Sequence, residues 1–144
     1  MYSYRYPRPA VTADCVVLGL TLDGGLRLLL IQRGNDPYKG MWAFPGGFMN
    51  MDETLEQCAR RELKEETGLE VESEFVEVKS FSTVDRDPRG RTITVAFLVT
   101  MPVTAVKGGD DAAEARWFPL DALPPLAFDH NEILKEALSL YNKR

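Results

Sequence analysis

Basic residues are in short supply in this chain. Its 144 residues hold 17 Lys and Arg against 22 Asp and Glu, a formal net charge of −5. A polynucleotide binder draws its affinity from cations that neutralise phosphates, so this balance argues against a polynucleotide partner. It leaves open a small phosphorylated ligand, which needs only a few local charges or a metal. Cysteine is nearly absent. Cys15 and Cys58 stand in no CxxC or Cys/His ligand spacing, which speaks against zinc and against a disulfide framework and makes both reduced core residues. There is one histidine, His130, and no Ser/His/Asp triad can be assembled around it. Near a helix start, it is expected to cap or hydrogen-bond. Long apolar runs are missing too: none approaches the roughly 18 residues of a membrane span. The N-terminus, Met1-Tyr2-Ser3-Tyr4-Arg5-Tyr6, lacks the apolar stretch of a signal peptide. A cytoplasmic protein with no membrane partner is the expectation.

What is present is ordinary for a globular chain, with 44% hydrophobic and 27% charged residues. The length suits one domain, large enough to bury about 70% of its unfolded surface without a staple. Residues 1–9 read as an N-terminal arm or short edge strand, with Tyr2, Tyr4 and Tyr6 alternating before Pro7 and Pro9 stiffen the chain. Such an arm packs on the body or on a second subunit, where it would serve a homodimer. Residues 10–144 form the domain. Val11 to Leu22 and Leu26 to Ile31 are apolar runs across an Asp23-Gly24-Gly25 turn, a hairpin pattern. A short strand, Trp42 to Phe44, is broken by Pro45-Gly46-Gly47. Strand-like runs follow at about Glu74–Val84 and Arg91–Met101, then a short one at Ala115–Phe118. Helices are expected over Asp52–Thr67, capped by Asp52 and stopped by Gly68, and over His130–Tyr141, where Asp129 and Glu132 have capping spacing. One α/β domain with a mixed sheet and two main helices accounts for this order.

The first helix breaks its own pattern. At 100° per residue, Leu55, Cys58, Ala59 and Leu63 fall on one arc, and Glu62 and Glu66 fall inside it, with Glu65 at its border. Glu62 and Glu66 are an i,i+4 like-charge pair, unfavourable by roughly 0.2–0.5 kcal/mol even when exposed. Burial would raise that cost severalfold unless a cation or a donor network compensates. A solvated charge face is one reading. A divalent cation is the other, and clustered carboxylate oxygens suit a hard ion such as Mg²⁺ or Mn²⁺. Residues 52–70 carry seven acids against three bases, so nearly all of the chain's net negative charge is local to this helix.

Gly47, Glu53, Arg61, Glu62, Leu63, Glu65, Glu66, Gly68 and Leu69 stand at the spacing G-x5-E-x7-R-E-U-x-E-E-x-G-U, with U aliphatic. This resembles the Nudix box at every defined position. The resemblance implies an α/β/α sandwich over about residues 10 to 141, and hydrolysis of a nucleoside diphosphate linked to another group, by attack of water on phosphorus. It implies Mg²⁺, with Mn²⁺ as substitute, held by Glu62, Glu65 and Glu66. Glu53 would be a further ligand or a partner to one, and Arg61 would orient these carboxylates. Gly46 and Gly47 would let the backbone approach closely enough for a carbonyl to reach the ion and the substrate. The base is either a box glutamate or, as in ADP-ribose-hydrolysing members, an acid of a later loop. Here that loop offers Asp110, Asp111 and Glu114, of which Glu114 is favoured; a solvated loop acid is its other reading.

Substrate class rests on residues outside the box. Arg86, Arg89 and Arg91 are three arginines within six positions, and guanidinium forks suit phosphate oxygens; an exposed hairpin tip is the alternative. Arg33 and Lys39 are candidates for the far phosphate, and Trp42 for stacking or for the core. The arginine loop and Leu126-Ala127-Phe128-Asp129-His130 resemble ADP-ribose pyrophosphatases and regulators whose Nudix-like domain senses ADP-ribose. One departure stands: Pro88 lies 19 positions after Leu69, farther from the box than the proline marking those enzymes. The expectation is therefore a hydrolase of ADP-ribose, giving AMP and ribose 5-phosphate. Alternatives are a nucleoside triphosphate diphosphatase of the 8-oxo-dGTP type and a non-catalytic nucleotide sensor. Such sensors usually carry an added winged helix and often lose box acids; a complete box, in a chain ending three residues after Tyr141, favours the enzyme.

Overall fold

The structure, a computed structural model, describes residues 2–109 and 112–144. Its axis is β1 (Ala10–Leu20), which runs parallel to β6 (Thr92–Pro102) along its whole length. On its other edge β1 changes partner. It pairs antiparallel with β4 (Gly46–Phe48) at Thr12–Asp14 and with β2 (Leu26–Arg33) at Leu18–Leu20. Beyond Leu28 the β1–β2 hairpin is split. There β3 (Trp42–Ala43) pairs with β2 at Ile31 and Gln32, and the Phe44-Pro45 link carries the chain across to β4 on β1. The outer strands are β5 (Val76–Phe81) on β6 and β7 (Ala112–Pro119) on β2. Expected strand positions hold, with one correction. Pro45 does interrupt the chain, but Gly46 and Gly47 belong to a strand of their own, because without side chains they can lie against β1.

Helices cover both faces of the sheet, giving an α/β/α sandwich. Successive β1 side chains point to opposite faces. Val16 and Leu18 pack with Phe44, Leu98 and, from α2 (His130–Lys143), Ile133, Leu134 and Ala137. Ala13, Cys15 and Val17 pack with Phe97, Val99 and, from α1 (Leu55–Thr67), Cys58, Ala59 and Leu63. Burial on both faces is why β1 and β2 read as continuous apolar runs and not as alternating ones.

Both helix starts differ from expectation. The N-cap of α1 is Thr54, whose Oγ1 accepts the Gln57 N–H while the Gln57 side chain accepts the Thr54 N–H. That reciprocal pair needs a spacing of three to the side chain that returns the bond, which Thr54 has and Asp52 lacks. Gly68, at φ +80°, stops the helix with its N–H on the Lys64 carbonyl. Asp129 stands at the cap position of α2 but makes no side-chain cap bond, because its carboxylate is engaged elsewhere. Residues 2–9 lie outside every strand and helix, with Tyr2 and Tyr6 exposed and the Arg8 guanidinium 4.1 Å above the Tyr4 ring, so they form no edge strand. No helix among the described residues is long and apolar enough to cross a membrane.

Candidate active site

A cavity of about 360 Å³ opens where β1 and β2 part, walled by β4, α1 and the 82–91 loop. On the α1 side the sheet approaches so closely that Glu66, 6% exposed, accepts the Gly46 N–H at 2.8 Å. A Cβ on Gly47 would sit 2.5 Å from the Glu62 carboxylate, so the glycine is what leaves room beside that acid. Arg61 gathers the remaining charges. Its Nε and Nη2 hold both oxygens of Glu53 at 2.8 and 2.9 Å, Nη1 reaches Glu62 at 2.8 Å and Glu65 at 3.2 Å, and Nη2 also donates to the Phe48 carbonyl. Of the two wheel readings, the solvated face therefore fails for Glu66 and Glu62; of the three acids only Glu65 is exposed, at 39% of its side chain. Burial pushes the Cys58 thiol up to about 12 and raises Cys15 as well, so both are inert thiols.

The same pairing has a consequence in acid. The Arg61 guanidinium beside Glu53 holds that carboxyl down at about 2, against about 4.3 in an unfolded chain. A carboxyl depressed on folding adds stability above the unfolded value, lost as pH falls toward the folded one. Urea midpoints of the wild type and Glu53→Gln should therefore lie apart at pH 6 and converge between about pH 4.5 and 2. A constant separation over that window overturns the assignment.

The floor is a buried polar network. Asp14 on β1 accepts the Thr94 hydroxyl at 2.6 Å. His130 stacks on Phe44, accepts the Phe44 N–H on Nδ1 at 3.1 Å, and sets Nε2 3.8 Å from Asp14. Burial lowers the His130 pKa, so the ring is neutral, with its proton assigned to Nε2 because Nδ1 is an acceptor.

The opposite wall carries arginines and aromatics. Arg86, 4% exposed at its side chain, makes a two-pronged ion pair with Asp129 at 2.8 and 2.6 Å. Arg89 does the same with the buried Asp87. Arg33 donates to the Pro37 carbonyl at 2.6 Å, and its guanidinium lies 5.1 Å from the Phe128 ring centre.

The fold thus brings Gly46, Gly47, Arg61, Glu62, Glu65, Glu66, Arg33, Arg86 and Arg89 to one cavity, with Glu53 behind Arg61. Four residues weighed from the sequence lie outside its lining. Arg91 is exposed and donates to the Thr83 carbonyl, because it starts the outgoing side of the loop. Glu114 pairs with Arg116 on β7 at 2.5 Å. Lys39 is exposed on its loop, and Trp42 packs edge-on to Phe118 beside the core. Asp110 and Asp111 lie outside the described residues. Sequence reasoning missed Asp14, Thr94 and Phe48 at the site, and touched Asp87 and Phe128 only as members of longer stretches. The one signal for Asp14 was a lone acid inside an apolar strand.

A helix-borne acid cluster set against a glycine pair, in an α/β/α sandwich, defines a class of protein, and a NUDIX domain model matches residues 10–139. The chain belongs to the Nudix hydrolase family. It is 43% identical over 144 residues to an ADP-ribose pyrophosphatase of Methanocaldococcus jannaschii, covering 96% of this chain and 79% of that one. It is 38% identical to the ADPR responsive transcriptional repressor NtrR of Acinetobacter baylyi, covering 96% of this chain and 57% of that one. Among solved structures, the NUDIX domain of Shewanella oneidensis NrtR complexed with ADP ribose superposes with a TM-score of 0.86 at 32% identity, over 94% of this chain and 90% of that one. A bifunctional NMN adenylyltransferase/ADP ribose pyrophosphatase of Francisella tularensis, complexed with AMP and a Mn ion, gives 0.83 at 30% identity, over 94% and 43%.

Proposed function

We propose that this chain hydrolyses ADP-ribose to AMP and ribose 5-phosphate in the presence of Mg²⁺. The observation that carries the reading is one cavity with carboxylates on one wall and arginines with aromatics on the other. A diphosphate fits between such walls, its charge met by a cation and its organic ends by the rest. The similarity to a pyrophosphatase of ADP-ribose supports the same substrate.

The donor set suits a hard divalent ion. Glu62, Glu65, Glu66 and the Gly47 carbonyl would hold it, in space that a Cβ on Gly47 would fill. Among the described residues no three acid, His or Cys side chains already converge as a cage, since Glu62 and Glu65 share Arg61 Nη1. Loading thus asks these two acids to exchange one cation for another. When bound, the ion would neutralise diphosphate oxygens and make an attacking water more nucleophilic. The chain's own part is to hold Glu66 against Gly46 and to fix Glu53 and Arg61 behind the acids. Mg²⁺ would be replaceable by Mn²⁺.

A box glutamate is favoured over Glu114 as the base, because Glu114 lies outside the cavity lining and faces Arg116. Phosphate neutralisation falls to the metal and to Arg33, the substrate being a small nucleotide and not a polynucleotide. The test is a panel of ADP-ribose, other sugar nucleotides and nucleoside triphosphates with Mg²⁺, read as phosphate-containing products. Preferred turnover of ADP-ribose is expected. Preference for a triphosphate would make the chain a triphosphate diphosphatase, and tight ADP-ribose binding with no turnover would make it a sensor, as the likeness to a repressor allows. A homodimer built through the N-terminal arm and a cytoplasmic location complete this reading.

A further inference from the structure

We infer that Asp14 is a specificity-determining residue: with Arg86 on the same floor, its carboxylate receives the hydroxyls of the second ribose, the one that carries no base. This rests on the reading of the substrate as ADP-ribose and names the group that the cavity floor takes.

Asp14 stands on β1 opposite Gly46, one position from the Gly47 carbonyl, and is 7% exposed. Only its Oδ2 is engaged, accepting the Thr94 hydroxyl and facing His130 Nε2. Among the described residues Oδ1 has no donor, yet none of their fully buried side-chain oxygens or nitrogens lacks a hydrogen bond. Oδ1 therefore opens on the cavity that Asp14 lines, as an acceptor with lone pairs to spare. A half-satisfied carboxylate in a buried strand is unfavourable for folding, so its place there calls for another reason. Arg86 supplies the complement. Its Nε and Nη2 hold Asp129, while Nη1 has no acceptor among the described residues and opens on the same cavity.

An acceptor and a donor on one floor select among ligand ends. A hydroxyl both donates and accepts, so a sugar diol satisfies the two together, whereas a phosphate dianion only accepts. Charge points the same way. Arg86 cancels Asp129, and His130 is kept neutral by burial, which leaves Asp14 to repel a terminal phosphate and to attract hydroxyl protons. The floor is also closed. Phe44, Thr94 and His130 are each at most 3% exposed, and the His130 ring stacks on Phe44 at 4.7 Å and packs against Phe128 at 5.5 Å. No ring face is free there for stacking, and a base on C1 of the sugar would meet this packed layer. The ribose that fits is the one ending in a free hydroxyl, and the nearness of Gly47 sets its 5-phosphoryl group beside the acids of α1.

The test is calorimetric titration of the full chain, with Mg²⁺, by ribose 5-phosphate, 2-deoxyribose 5-phosphate and AMP, in the wild type and Asp14→Asn. Asparagine keeps its oxygen on Thr94 and puts an amide NH₂, a donor, where Oδ1 accepts. The wild type should bind the deoxy sugar about tenfold more weakly than ribose 5-phosphate, as expected for losing one hydroxyl bond to a charged acceptor. Asp14→Asn should weaken ribose 5-phosphate by about tenfold, narrow the gap between the two sugars to about twofold, and change AMP by no more than about twofold. Equal binding of the two sugars by the wild type overturns the inference without any variant. A gap that persists in Asp14→Asn, or a loss for AMP as large as for ribose 5-phosphate, overturns it too and makes Asp14 structural or a contact of the nucleoside half. Because the probes are products, a chain that follows this pattern yet leaves ADP-ribose intact would defeat the hydrolytic reading alone. One that hydrolyses ADP-ribose and shows no gap would defeat the role of Asp14 alone.

Discussion

Glu66→Gln is expected to lower turnover by about 10²–10³-fold or more and to leave the fold intact. Glutamine keeps an oxygen where Glu66 Oε1 accepts the Gly46 N–H, so the contact between α1 and β4 survives the change. What is lost is a charge in a buried position, where it is most unfavourable for folding and most effective toward a cation. The substitution also removes the Glu62–Glu66 charge repulsion, which predicts a Tm equal to or above the wild type's. Lost activity with undiminished Tm separates a functional role from a structural one. Calorimetric titration with Mn²⁺ should show weakened binding in the same variant. Activity like the wild type's would place Glu66 outside the chemistry and leave its burial unexplained.

Arg86→Met should destabilise the protein by about 3–5 kcal/mol, measured by urea unfolding at pH 7. Methionine fills much of the same volume but leaves the Asp129 carboxylate, 14% exposed, without its two-pronged partner. Replacing both members, as Arg86→Met with Asp129→Leu, should recover much of that loss, because no unpaired charge then remains. A loss below about 1 kcal/mol in the single variant would mean that solvent meets the carboxylate once Arg86 is gone. The pair joins the 82–91 loop to the start of α2 across 43 positions of chain, so it also seats Arg89.

Different forces made different parts of this protein legible. The box on α1 could be read because helical geometry is local. A residue's angular place follows from its number, so Glu62 and Glu66 on the apolar arc announced a conflict that only a special environment resolves. The strands could be placed because burial on both faces demands uninterrupted Val and Leu. Thr54 and Asp52 show how thin the margin at a boundary is, since both are good caps and only the reciprocal Gln57 bond decides between them.

The arginines went the other way. Three guanidiniums in six positions suggested a phosphate grip; two of them border the cavity, each with one edge on Asp87 or Asp129, and the third bonds to the Thr83 carbonyl outside it. Nothing along the chain told Arg86 that its partner lay on another element. By itself, then, the sequence determined the family, the acid-rich helix and the two-faced sheet, since each follows from spacing and periodicity within a short segment. Only the tertiary structure decided how the arginines are spent, which rings border the cavity, and that Asp14 and His130 meet beneath it. Those depend on pairings between distant segments, and a charged or aromatic side chain has its role set by the neighbour it finds and not by its own identity.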